Sequence, residues 1–360
     1  MPRIALLLVL LLALVLLYLG AWPTPIDPVA WSPAAPPSLA EDSRLVRATR
    51  QALGRGVEDI AVDSEGRIYG GDENGRVWRA LPGGEPELFA TTGGRPLGLE
   101  FAADGALIVC DAERGLLAID PRGEVRVLTS EHGGRPYGLT DDLDIGPDGT
   151  IYFSDASDRF GLDEVLEDTF ESRPNGRLLA YDPTLPETRL LLDALHFANG
   201  VAVSPDGDFV LVVESSRYRV RRYWLEGPAE GTSDVFADNL PGFPDGISRG
   251  AAGRYWTALY APRDAGFDRL LARPFLRDVV YRLPDALRPA TTHRAMVLEL
   301  DSAGQTVDLL MDSEESAFAP ITSVVEHRGS LLLGSISENG YARFPLPLAE
   351  GPGAGGAALR

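Results

Sequence analysis

Hydrophobic and polar positions fall into three regimes along this chain. From Ile4 to Trp22 there is no charged residue, and the run of Leu, Val and Ala has about the length that crosses a bilayer as a helix. From Pro23 to about Ala40 the chain is rich in proline and reads as an extended spacer. Beyond it, short apolar runs alternate with Gly-containing turns, and one sentence recurs. Its fullest copy, 199–214, gives a short strand, a Pro-Asp-Gly turn, a second apolar strand and a charged or small turn, completed by a third strand at Val220–Leu225. The sentence also occurs at 58–72, 98–111 and 142–155, with third strands at 75–79, 115–119 and 176–181, and in weaker form at 245–258 and 321–334. Linking segments such as 86–90, 188–192 and 306–311 supply a fourth strand. Six copies of a four-stranded unit predict an all-β fold, a six-bladed β-propeller.

The wider gaps between copies mark insertions at 159–174 and 260–277, expected as loops or short helices covering one face. The predicted organisation is therefore a transmembrane anchor or signal segment at 1–22, a linker at 23–40 that lifts the domain off the bilayer, a propeller at 41–348 and a flexible tail at 349–360. Arg3 precedes the apolar run and acidic residues dominate beyond it, which places the N-terminus in the cytoplasm and the propeller on the outer, periplasmic or extracytoplasmic side. A cleaved signal peptide is the rival, but its apolar core would be shorter, and Leu19-Gly20-Ala21 is a weak cleavage site.

Composition narrows the function classes. With 44% hydrophobic and 24% charged residues the chain has the means for a real core. A net charge of −20 repels phosphate backbones, so nucleic acid is excluded as a partner and cations are favoured. The single cysteine, Cys110, sits in an apolar run and reads as a core residue; no internal disulfide is available.

In a closed ring of blades, equivalent repeat positions converge on one axis. By repeat phase the ring consists of Glu58, Gly98, Asp141 with Asp142, Asn199, Asp245 and Thr322. Carboxylate and amide oxygens without histidine or sulfur suit a hard cation, above all Ca2+, which also relieves the repulsion among the acids. The four histidines, His132, His196, His293 and His327, form no metal-spaced cluster, and no Gly-x-Ser-x-Gly elbow surrounds Ser215 or Ser216. Phe160, Tyr260 and Phe318, with His196 and Thr322, are the candidates for a substrate pocket at the channel mouth.

The strings Asp141-Asp142-Leu143, Phe197-Ala198-Asn199-Gly200-Val201, 241–245 and Arg273-Pro274-Phe275 resemble the family that groups senescence marker protein, gluconolactonases, diisopropyl fluorophosphatase-like enzymes and strictosidine synthase-like proteins. The resemblance spans about residues 40–347. It implies a Ca2+ in the central channel held by Glu58, Asp141, Asn199 and Asp245, with Asp141 standing where an Asn is usual. It further implies hydrolysis of a small ester, lactone or organophosphate by a monomer, with Asp142 or Asp245 orienting or deprotonating water or attacking directly. The carboxylate used by alkaloid-condensing members falls at Thr322, so a Pictet-Spengler condensation is not expected. The alternative is a non-catalytic, membrane-tethered propeller that binds a partner, with calcium serving structure only.

Overall fold

Period-two alternation becomes six four-stranded antiparallel sheets around one axis. The computed structural model describes residues 2–39 and 42–347; the tail at 349–360 lies outside them. The innermost strands are Ala61–Val62, Pro96–Phe101, Thr140–Ile145, Ala198–Val203, Gly242–Arg249 and Ser323–His327, in blades one to six. Apolar residues pack between consecutive blades: Leu107, Val109, Leu117 and Ile119 of the second lie against Ala61, Tyr69 and Val77 of the first.

The acid that ends each of the first four repeat copies has a structural task. Asp155 accepts the backbone N–H groups of Gly138 and Leu139, both at 3.0 Å, and pairs with the buried guanidinium of Arg177. Asp111 and Glu214 accept the equivalent N–H groups of Arg95 and His196 in the second and fourth blades, whereas Asp72 caps the turn that follows it, accepting from Asn74 and Arg76. A buried acid thus takes donors that the turn would otherwise leave unpaired.

Ring closure falls outside the repeat pattern. The sixth blade takes its outermost strand, Thr49–Arg55, from the start of the domain, antiparallel to Asn339–Pro345.

An apolar helix, α1 (Pro2–Ala21), precedes the domain and is long enough to cross a membrane. The first insertion carries α2 (Val165–Glu171). The second runs later than expected, because the strand Tyr255–Pro262 occupies its predicted start; it carries α3 (Ala265–Leu271) and α4 (Pro274–Tyr281). The Pro-rich segment is not a free spacer. It lies as a strap across these helices, with Ile26 buried among Phe160 and Phe170 and Trp31 packed on Tyr218. The reason is its chemistry: a proline-rich backbone keeps its carbonyls but loses N–H donors. Side chains of the propeller and its insertions supply the donors, Arg159 to Pro25 (2.9 Å), Arg173 to Asp27 (2.7 Å), Arg263 to Ala34 (2.6 Å) and Asn239 to Ala35 (3.0 Å).

Closure depends on close backbone approach at Gly340, where φ is +77° and an added Cβ would sit 1.9 Å from the Gln51 carbonyl. Gly329 has a similar φ of +71° but open space around it. Gly329→Ala is therefore expected to cost about 1 kcal/mol from φ alone, whereas Gly340→Ala also pushes the closing strand away and costs more. Thermal melts followed by circular dichroism check this; equal losses would show that the closing strand is not held there.

Candidate metal centre and cavity

Four inner strands share one irregularity. Their ladders break between Pro96 and Leu99, Thr140 and Leu143, Ala198 and Val201, and Pro244 and Ile247. Each break contains two residues, and a bulge of this kind re-aims side chains. The first residue of each pair, Leu97, Asp141, Asn199 or Asp245, faces a cavity at one end of the axis, joined there by Glu58 and Thr322. Gly98 is thus not the second blade's ring member. Leu97 is, and Gly98 instead lies against Asp142, where an added Cβ would be 2.7 Å from Oδ1.

Glu58, Asp141, Asn199 and Asp245 are each only 6–7% exposed. Burial, then Asp141 and Asp245, push the Glu58 carboxyl well above its usual range. Burial, then Asp155 and Asp59, raise Asp141 to about 7. Asp245 is raised by burial and by Asp141, and only the Asn199 amide, which donates to it, works the other way. Ion pairs form instead at Asp155 with Arg177 and at Asp144 with Arg249. Three buried acids that form no ion pair among the described residues, together with an amide oxygen, fit a hard divalent ion. Among the described residues no three His, Cys, Asp or Glu side chains are gathered as closely as ligands on one ion.

Asp142 departs from its expected place. Its carboxylate accepts the N–H groups of Leu143 and Val201, both at 2.8 Å, and it lines the opposite stretch of the channel with Asp59, Glu100 and Asp144. The ring's Thr322 hydroxyl donates to the Glu58 carbonyl at 2.7 Å.

The cavity holds about 430 Å3 and is mostly apolar. Leu97, Leu139, Phe197 and Phe243 form its wall, and Leu166 and Phe170 of α2 with Phe267 of α3 roof it. Of the expected pocket residues, Tyr260 and Thr322 line it and three do not. Phe160 is buried beneath the strap. Phe318 belongs to the core of the last two blades. The His196 ring is turned toward the Ser172 and Arg173 backbone, its pKa lowered to about 3 by burial and by Arg217 and Arg219, so it is neutral. The wall residues Leu139, Phe197 and Phe243 each lie two positions before a ring residue, on the same face of the strand. That spacing was the available signal for them.

Residues 141–228 match the strictosidine synthase profile and residues 38–80 the N-terminal strictosidine synthase-like profile. Adipocyte plasma membrane-associated protein of Bos taurus is 36% identical over 341 residues, covering 87% of this chain and 82% of its own length. Protein STRICTOSIDINE SYNTHASE-LIKE 10 of Arabidopsis thaliana is 36% identical over 312 residues, covering 78% and 83%. Among solved structures, a gluconolactonase from Xanthomonas campestris superposes with a TM-score of 0.61 at 18% identity, covering 90% of this chain and 99% of that one. The calcium-binding protein regucalcin from Agrobacterium tumefaciens gives 0.57 at 16% identity, covering 85% and 94%. These structures share the propeller fold.

The acids make a linkage prediction for the chelated protein. Asp141 titrates near about 3.9 when unfolded and at about 7 when folded. The folded chain therefore keeps a proton the unfolded chain has lost, and the resulting stability is complete below the unfolded value and lost as pH rises through 7. In EGTA, melting temperature should fall across that window; Asp141→Asn should flatten the fall and Ca2+ should oppose it. A slope unchanged by Asp141→Asn removes the assignment.

Proposed function

The chain belongs to the strictosidine synthase-like family, and we propose that its axial cavity is the active site of a calcium-dependent hydrolase of small esters or lactones. The observation that carries this reading is the ring itself: three buried carboxylates that form no ion pair among the described residues, and one amide, at the floor of an apolar cavity. A scaffold alone has no use for such a costly arrangement. α1 and the charge pattern beside it support a topology with the propeller outside the cytoplasmic membrane.

Glu58, Asp141, Asn199 and Asp245 would hold the ion. When bound, Ca2+ supplies Lewis-acid polarisation of a carbonyl or phosphoryl oxygen. The remaining tasks fall to the chain. Leu97, Leu139, Phe197 and Phe243 hold the apolar body of the substrate and exclude bulk water. Asp245 faces the same space and is placed to take a proton from attacking water at a carboxylate oxygen. Asp142, whose oxygens are engaged by two backbone N–H groups, positions the adjoining strand instead. The condensing chemistry in the family name does not carry over, because the last blade's ring position is Thr322, with its hydroxyl already donated to Glu58.

The test uses the full chain in detergent with aryl esters, lactones and an organophosphate, with and without EGTA. Asn199→Ala and Asp245→Ala should each lower kcat/KM by about 100-fold or more, EGTA should abolish turnover, and circular dichroism should show the fold intact. Turnover indifferent to EGTA and to both substitutions sinks the reading. Calcium bound without turnover on any substrate favours a partner-binding propeller.

A further inference from the structure

The roof of the cavity is joined to the membrane helix by direct hydrogen bonds. Arg282, at the end of α4, donates to the carbonyls of Leu19 (2.8 Å) and Trp22 (2.6 Å), and Tyr18 donates back to the Arg282 carbonyl at 3.3 Å. Thr24 donates to Asp278 on α4 at 2.6 Å. At about 1.5 Å of rise per residue, a bilayer spanned by α1 has its outer boundary within a turn of these contacts. Tyr18 and Trp22 stand there with ring centroids 6.0 Å apart, as interfacial aromatics do. The end of α4 is thereby held at headgroup level.

Two further observations point to lipid. The insertion exposes large apolar side chains, Phe275 at 60% and Leu287 at 66%, which stand outside the apolar clusters of the described residues. It also reverses the charge of the molecule: residues 263–294 contain seven Arg and four Asp, a net +3 in a chain of −20, with Arg269 and Arg273 exposed in the helix and turn that precede Phe275. An apolar, locally cationic surface suits the boundary of an anionic bilayer.

We propose that this insertion rests on the lipid surface, with Phe275 and Leu287 at the headgroup–acyl boundary and the cavity mouth turned toward the bilayer. The mouth is formed by the same segment, since 289–292 line the cavity immediately after Leu287. The cavity is then filled from lipid rather than from water. Resting on the hydrolase reading, the substrate class becomes amphiphilic esters or lactones dissolved in the membrane.

The test places a bimane label at Phe275→Cys, Leu287→Cys and, at a turn on the opposite face, Asp104→Cys. Cys110 is fully buried and stays unlabelled. The full chain is reconstituted into phosphatidylcholine–phosphatidylglycerol vesicles carrying a doxyl-labelled lipid. Quenching severalfold stronger at 275 and 287 than at 104 is expected. Equal quenching at all three overturns the proposal, as does shielding of 275 and 287 in detergent by a second copy. A second arm compares hydrolysis of a vesicle-borne long-chain ester with that of a short water-soluble one. Phe275→Glu with Leu287→Glu should slow the first severalfold and leave the second unchanged; equal effects overturn the lipid route. Site-specific quenching without hydrolysis of either ester would keep the membrane seat and remove only the enzyme.

Discussion

Six strands must begin within reach of one axis, and the rest of the molecule follows from how the backbone meets that demand. An added Cβ at Gly200 would lie 2.5 Å from the Asp245 carbonyl, and one at Gly246 would lie 2.7 Å from that of Thr322. Packing this tight leaves no room for two ordinary side chains per strand. The bulges of blades two to five divide the work: the first residue turns to the cavity, and the second is glycine or an acid that bonds the neighbouring strand. Asp142 reaches Val201 N–H at 2.8 Å, and Asp59, at the equivalent place in the first blade, reaches Leu99 N–H at 3.0 Å. The ring is a by-product of closing the axis, and its chemistry is whatever the first residues happen to be.

That division separates two layers of acid. In the lower layer Asp59, Asp142 and Asp144 accept backbone N–H groups from adjacent strands, and Asp144 also faces Arg249 at 3.0 Å. These carboxylates do structural work, since an N–H···O bond between blades offsets part of their desolvation. In the upper layer Glu58, Asp141 and Asp245 form no ion pair among the described residues: Asn199 donates to Asp245, and the buried Arg95, bonded to the Gly56 carbonyl, acts on Glu58 only through space. Asp59 and Asp142 are half-buried and Glu58, Asp141 and Asp245 are buried, so the upper layer has both the deeper burial and the fewer partners. A layer that folding alone would have neutralised is the one that asks for a ligand.

Much of this was legible in the sequence, and its limits are physical. The repeat phase located Glu58, Asp141, Asn199, Asp245 and Thr322 because strand starts recur at a fixed distance from a turn. It slipped by one at Gly98, where the conspicuous residue was the glycine required by Asp142 and the ring member was the plain Leu97. Adjacent acids could not be assigned to faces, because a bulge suspends the alternation that would separate Asp141 from Asp142. Aromatic character did not place Phe160 or Phe318, since a ring fills a core as readily as a pocket. The closing strand at Thr49–Arg55 lies outside the repeat sentence and has no partner near it in sequence.

The roof is where periodicity stops, and different physics takes over. The strap offers carbonyls with few N–H groups, and all 33 basic residues of the chain are arginines. One guanidinium can serve several carbonyls in fixed geometry, which an ammonium cannot do as well. Arg277, fully buried, donates to the carbonyls of Phe170 (2.8 Å), Glu171 (3.2 Å) and Val29, tying α2, α4 and the strap at one point. The strap continues directly into α1, so the end of α4 is bonded to the apolar helix as well as to the propeller's insertions. The floor of the cavity is set by blade geometry, whereas its roof is set by how the strap and the insertion helices are tied to one another.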